Sequence, residues 1–216
     1  MLDMEPATRA IRPRPASWIG AIACAAFLLL APSLRCLAKA RTEAGFPSAP
    51  RASKTAPVAD LLRRALREGE QEWPRDAIES ASEAIAEVAL KYDFPPTLVL
   101  SLIQHESGFR LDAVSPKGAV GLTQILPSTA FETALALGYR PFNKEQLFDP
   151  GTNIRLGVSY LASLRSAYGS LDAALAVYRG GPDATRGRTA ADLASWPYLR
   201  KIRETQRTMA GWMKTP

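Results

Sequence analysis

The sequence predicts a mainly α fold, and three observations carry that prediction. Beyond residue 73 the apolar residues recur with a period near 3.6. No stretch shows convincing strand alternation, and there is no internal repeat. Pro74, Pro96, Gly108 and Pro150 fall where the periodic segments begin or end, as helix boundaries require.

The elements follow in order. Val58 to about Arg67 reads as a short amphipathic helix with Leu61, Leu62 and Leu66 on one side; partner contact and packing on the domain are both open roles for it. A longer helix starts near Pro74 and carries Ile78, Ala81, Ile85, Val88 and Ala89 on one face. Phe94-Pro95-Pro96 ends that helix and opens the next. Residues 96–107 hold Leu98, Val99, Leu100, Leu102 and Ile103, apolar on most faces, so this helix belongs at the centre of the domain. Ser115-Pro116-Lys117-Gly118 is a turn. Further helices are expected at 127–137, 151–167, 171–178 and 197–213, with Pro150 and Asp172 as starters.

Upstream of these elements the composition changes. The 216 residues suit one domain with extensions. Arg9, Arg12 and Arg14 precede the uncharged run Trp18 to Ala31, and Ala38-Lys39-Ala40 offers a small-x-small cleavage pattern. Residues 1–40 are therefore expected to be a signal peptide, cut after Ala40; an uncleaved anchor is the alternative, and either way the rest is exported. Arg35 argues against a lipid anchor on Cys36. Residues 41–73 read as a linker with the short helix, and 74–216 as the domain.

Charge and counts exclude several functions. The formal charge of +6 divides evenly: residues 1–40 carry five basic and two acidic side chains, leaving +3 for the remainder. That residual basicity suits an anionic cell-surface polymer, but no dense basic stripe interleaved with aromatics points to nucleic acid. One histidine and two cysteines, Cys24 and Cys36, nearly exclude a zinc site built from those ligands, and they exclude a disulfide scaffold. No metal or other cofactor is expected.

Glu106 is the informative carboxylate. It sits in the last turn of the apolar central helix, where the helix dipole and burial both favour a protonated acid. A general acid requires that state. Position alone leaves a solvent-facing helix residue as an alternative. His105 has no second histidine at zincin spacing, and no nucleophile elbow occurs, so neither a metalloprotease nor a serine hydrolase is indicated.

Around Glu106 the residues carry a resemblance. Glu106-Ser107-Gly108-Phe109 is followed by Ala113-Val114-Ser115-Pro116-Lys117-Gly118-Ala119 and by Val120-Gly121-Leu122-Thr123-Gln124-Ile125-Leu126-Pro127. Leu147-Phe148-Asp149-Pro150, Asn153-Ile154-Arg155-Leu156-Gly157 and Ala176-Val177-Tyr178-Arg179-Gly180 come after them. Over residues 77–200 this resembles the soluble lytic transglycosylase catalytic domain, a lysozyme-like fold related to goose-type lysozyme. Thr123 stands where that family usually has Met, and Arg179 where it has Asn.

The resemblance implies a lysozyme-like helical domain whose central buried helix ends at the catalytic Glu106. It implies non-hydrolytic cleavage of the β-1,4 bond between N-acetylmuramic acid and N-acetylglucosamine in peptidoglycan, leaving 1,6-anhydromuramoyl ends. Tyr178 is implied as the tyrosine that orients the acid, and Gln124, Ser115, Leu126, Ser107 and Gly121 as residues of the glycan groove. Asp112, Glu132 and Asp149 are the carboxylates available for a hydrolase's second acid, with Asp149 read more simply as a helix cap. The implied setting is periplasmic, with membrane contact only through the signal or anchor segment and with a secretion, pilus or conjugation apparatus as a candidate partner. A non-catalytic wall-binding or assembly module and a lysozyme-type hydrolase are the competing readings.

Overall fold

Proline sets where most of the helices begin. The computed structural model of the chain describes residues 55–139 and 143–213. The expected signal peptide, both cysteines and residues 41–54 lie outside the described residues. Helix α1 is Ala56–Glu68, α2 Arg75–Tyr92, α3 Pro96–Glu106, α4 Pro127–Ala136, α5 Pro150–Tyr168, α6 Leu171–Gly180, α7 Ala190–Ser195 and α8 Pro197–Trp212. Proline occupies the first turn of α1, α3, α4, α5 and α8, where its missing N–H has no intrahelical partner to lose. Among the described residues the only β pairing is two isolated bridges, Val114 with Val120 and Val120 with Ile125.

The expected helices are present to within a few residues. Three short pieces escape the periodicity: the single-turn 3-10 segments Lys144–Phe148 and Pro182–Thr185, and α7. Two of these carry capping boxes, and each buries a single leucine, Leu147 or Leu193. Asn143 and Gln146 cap each other's backbone, as do Thr189 and Asp192.

α3 is the central helix, as its composition demands. Leu98, Leu100, Leu102 and Ile103 are buried to 1% exposure or less. Burying each such side chain stabilises the fold by about 2 kcal/mol. α2 packs on α5, α3 on α8 and α5 on α6, enclosing one large apolar core. A smaller cluster of Val120, Ile125, Ala130, Ala134, Leu147 and Leu156 fills the space under the loop that follows α3.

One boundary moves. α1 buries Val58, Leu61, Leu62, Ala65 and Leu66 in the main core, so the packed unit starts before residue 74. The 41–73 segment divides on physical grounds: its helical part has an apolar face that the domain covers. Trp73 then ties the connection down, donating Nε1–H to the Phe109 carbonyl at 2.9 Å.

A buried amide joins α5 to the loop that precedes α4. Asn153 is fully buried. Its Oδ1 accepts from the Thr123 backbone N–H at 2.8 Å and from the Thr123 hydroxyl at 2.7 Å. Its Nδ2 donates to the carbonyls of Val120 at 3.0 Å and Leu147 at 2.9 Å. Gly121 and Gly157 make room for this arrangement. A Cβ at Gly121 would fall 2.2 Å from Asn153 Nδ2, and one at Gly157 would fall 2.2 Å from the Thr123 hydroxyl. Asn153→Ala strips partners from buried donors and acceptors; a loss of about 3–4 kcal/mol is expected. Thermal unfolding followed by circular dichroism should show a midpoint lower by roughly 10 °C.

Candidate active site

The last turn of α3 delivers Glu106 to the edge of the core. Ile103 one turn earlier is fully buried, and the chain leaves the helix at once through Ser107, Gly108 and Phe109. Gly108 and Phe109 both have φ of 61°. Phe109 pays for that left-handed conformation, roughly 1 kcal/mol for a non-glycine residue. Complete burial of its ring and the Trp73 hydrogen bond to its carbonyl hold it there.

The Glu106 side chain is 4% exposed. Its two oxygens meet different donors. Oε1 accepts from the Tyr198 hydroxyl at 2.5 Å, and Oε2 accepts from Arg179 Nη1 at 3.1 Å. Burial drives the carboxyl above the usual glutamate range; the Tyr198 hydrogen bond and the Arg179 charge pull it partway back. The Tyr198 and Tyr178 hydroxyls are both pushed up, first by burial and then by the Glu106 charge, so both remain neutral donors.

Packing of α8 on α3 brings Tyr198 to the acid from 92 residues away in sequence. Across the same helix pair, His105 Nε2 lies 2.9 Å from the Thr205 hydroxyl. Burial lowers the His105 pKa, which leaves the ring neutral at pH 7. His105 thus serves the helix contact.

Tyr178 departs from expectation. Its hydroxyl donates to the Thr123 carbonyl at 2.8 Å instead of to Glu106. Its ring packs on Tyr160 with centroids 5.5 Å apart. The reason is local: Asn153 fixes Thr123 so that its carbonyl faces α6, while Tyr198 already fills the acid's Oε1. Tyr198 is the hydroxyl that touches the acid, and no pattern in the sequence singled it out. A Trp196-Pro197-Tyr198 aromatic pair at a helix start was the available signal.

The loop between α3 and α4 collects the other predicted residues, mostly in structural duties. The Ser115 hydroxyl accepts from the Ala119 N–H at 3.0 Å and closes its own turn. Gln124 sits at φ 50°, and its Nε2 spans the carbonyls of Ala113 at 3.0 Å and Gly121 at 2.8 Å. The Ser107 hydroxyl is buried and returns to the Ile103 carbonyl at 3.1 Å. Gly121, expected in the glycan groove, lies against Asn153 and the Leu147 carbonyl, where a Cβ would not fit. Leu126 is exposed, as is nearby Val114 in the same loop. Thr123, in place of the family's Met, spends its hydroxyl on Asn153. Asp149 caps α5 through the Thr152 N–H at 2.7 Å. Asp112 and Glu132 are exposed. No group of acidic, histidine or cysteine side chains suited to a metal occurs among the described residues.

With this geometry in hand, likeness to known proteins is informative. The family model described as the transglycosylase SLT domain matches residues 83–195, more than half of the chain. The chain belongs to the SLT transglycosylase family. The matched span runs from α2 to α7 and includes Glu106, Asn153 and Tyr178, but it stops before Tyr198. The chain is 38% identical over 87 residues to a membrane-bound lytic murein transglycosylase C of Haemophilus influenzae, covering 39% of this chain and 24% of the relative. It is 33% identical over 115 residues to the soluble lytic murein transglycosylase of Escherichia coli, covering 51% of this chain and 18% of the relative. It thus spans about a quarter or less of the length of these relatives. The fold matches the 70 kDa soluble lytic transglycosylase of Escherichia coli with a TM-score of 0.52 at 20% identity, over 76% of this chain and 32% of that one.

The SLT site carries a stability cost that pH should expose. A carboxyl whose folded-state pKa lies above its unfolded value binds the proton more tightly when folded, so stability falls as pH rises between the two values. Glu106→Gln removes this penalty. The variant is expected to melt above wild type at neutral pH, and the gap should close once the pH is below the ordinary glutamate range. Calorimetric melting across pH checks both.

Proposed function

We propose that this chain is an exported peptidoglycan lytic transglycosylase with Glu106 as its acid and then its base. One observation carries the reading: a nearly buried carboxyl at the end of α3, raised in pKa by burial, is hydrogen-bonded by Tyr198 and Arg179 rather than set beside a second carboxylate. Paired-carboxylate glycosidases need a second acidic group beside the scissile bond. Here Asp149 is committed to capping α5, and Asp112 and Glu132 face solvent.

The chemistry then uses one group twice. Protonated Glu106 donates its proton to the glycosidic oxygen as the C1–O bond of N-acetylmuramic acid breaks. The resulting carboxylate accepts the proton of the same sugar's C6 hydroxyl as that oxygen bonds to C1. The product is a 1,6-anhydro sugar, the acid regains its proton, and no water is consumed. Tyr198 keeps Oε1 occupied, which leaves Oε2 as the oxygen that meets the substrate once Arg179 withdraws. Leu126 and Val114 offer exposed apolar surface in the adjacent loop for a sugar ring, and Ser115 and Gln124 keep that loop in shape. The membrane-bound and soluble names of the relatives support action at the cell wall, hence a periplasmic setting, and a small exported wall-cutting domain suits an envelope-spanning secretion, pilus or conjugation apparatus.

Digestion of purified sacculi by wild type should release muropeptides lighter by one water than hydrolysis products, as mass spectrometry will read. Glu106→Gln should abolish release, while products with reducing ends from wild type would identify a hydrolase instead. Tyr198→Phe removes a donor that favours the ionised acid, so the alkaline limb of its kcat/KM profile should move to higher pH.

A further inference from the structure

Arg179 is placed at odds with the first chemical step. A guanidinium only donates hydrogen bonds, so its contact with Oε2 favours the ionised carboxylate, whereas a general acid must hold a proton. The partners also differ in access: the Glu106 side chain is 4% exposed and that of Arg179 is 52% exposed. The acid is inside and its cation stands at the opening. Arg179 belongs to the last turn of α6, and its guanidinium lies 5.5 Å from the centroid of the Tyr198 ring, a cation–π contact that steadies it without fixing it. Half in solvent, it can turn outward at small cost, and its planar fork is shaped to grip a carboxylate.

The proposed substrate supplies such a group. Peptidoglycan bears carboxylates next to the scissile bond, on the lactyl ether of N-acetylmuramic acid when the peptide is absent and on the stem peptide when it is present. We propose that Arg179 is a specificity and positioning residue that exchanges Glu106 for a carboxylate of the bound glycan, so that the acid takes up its proton only when an anionic glycan fills the site. This rests on the lytic transglycosylase reading. The charge balances: the substrate carboxylate replaces Glu106 on the guanidinium, and the freed Glu106 carboxylate accepts one proton from solvent. The other titratable groups facing the acid do not compete. Tyr178 on α6 and Tyr198 on α8 are held neutral by burial, and His105 on α3, near Lys201 of α8, is likewise neutral.

The test compares wild type, Arg179→Gln and Arg179→Lys on peptide-bearing glycan and on amidase-stripped glycan. The kcat/KM profile reports the free enzyme's acid, and kcat that of the complex. In wild type the alkaline limb of kcat should lie at higher pH than that of kcat/KM. In Arg179→Gln the kcat/KM limb should rise to meet it, with KM higher by on the order of tenfold from the lost charged hydrogen bond. Arg179→Lys should restore part of both effects. A KM rise on stripped glycan identifies the lactyl carboxylate; a rise confined to peptide-bearing glycan identifies the stem. Coincident limbs in wild type, or KM unchanged on both glycans, overturn the inference. If Arg179→Gln is too slow to profile, carboxyl carbon NMR of wild-type Glu106 reads the exchange directly. Saturation with the peptide-free anhydro-disaccharide or its peptide-bearing form should move the Glu106 titration to higher pH, and an unmoved titration with both overturns it. Wild type that yields no anhydro product at all would instead sink the parent reading.

Discussion

Asn153 uses every hydrogen-bonding position of its amide inside the protein, and the site's architecture depends on that. Two bonds hold Thr123, one holds Val120 and one holds Leu147. The loop after α3 pairs many of its backbone groups in its own turns, but the Thr123 N–H and the Val120 carbonyl need partners from outside it. Asn153 supplies them from the rigid frame of α5. The constraint then propagates: Thr123, once fixed, presents its carbonyl to Tyr178, and that hydroxyl joins α6 to the loop. A fully satisfied buried polar network specifies one geometry, and here it specifies the floor beside Glu106.

The acid itself is a compromise between burial and solvation. For the proposed chemistry, burial alone would leave a carboxyl that rarely ionises, unable to act as a base in the second step. Strong pairing alone would leave one that rarely holds a proton. Burial raises the carboxyl's pKa, and Tyr198 and Arg179 pull it partway back. The two donors differ in kind. Tyr198 is neutral, enclosed and fixed on α8, whereas Arg179 is charged, half exposed and at the end of α6. On the proposed reading the fixed donor orients and the exposed one discriminates.

Much of this was legible from the amino acids. The apolar run of α3 announced a central helix, and Glu106 stood at the negative end of its dipole, although position alone left a solvent-facing residue open. The prolines marked the helix starts. What the sequence concealed follows a pattern. α7 and the two 3-10 segments are too short to show a period, and reciprocal caps set α7 and Lys144–Phe148. Tyr198 lies 92 residues from Glu106, and no local rule connects them. Tyr178 was recognisable as a residue that matters, but its partner depends on where Asn153 puts Thr123. Gly121, Ser107, Ser115 and Gln124 were read as glycan contacts because motifs mark important positions without saying whether they hold a ligand or hold the loop.

The route by which Tyr198 reaches Glu106 also bears on the order of synthesis. A ribosome makes α1 to α6 first, and these contain the acid, the Asn153 network and Arg179. Glu106 nonetheless lacks the neutral donor on Oε1 until α8 has emerged and docked on α3. A growing chain therefore carries that carboxyl through the next 92 residues without the partner that hydrogen-bonds it. The donor set of Glu106 is finished last, by the helix that packs on α3.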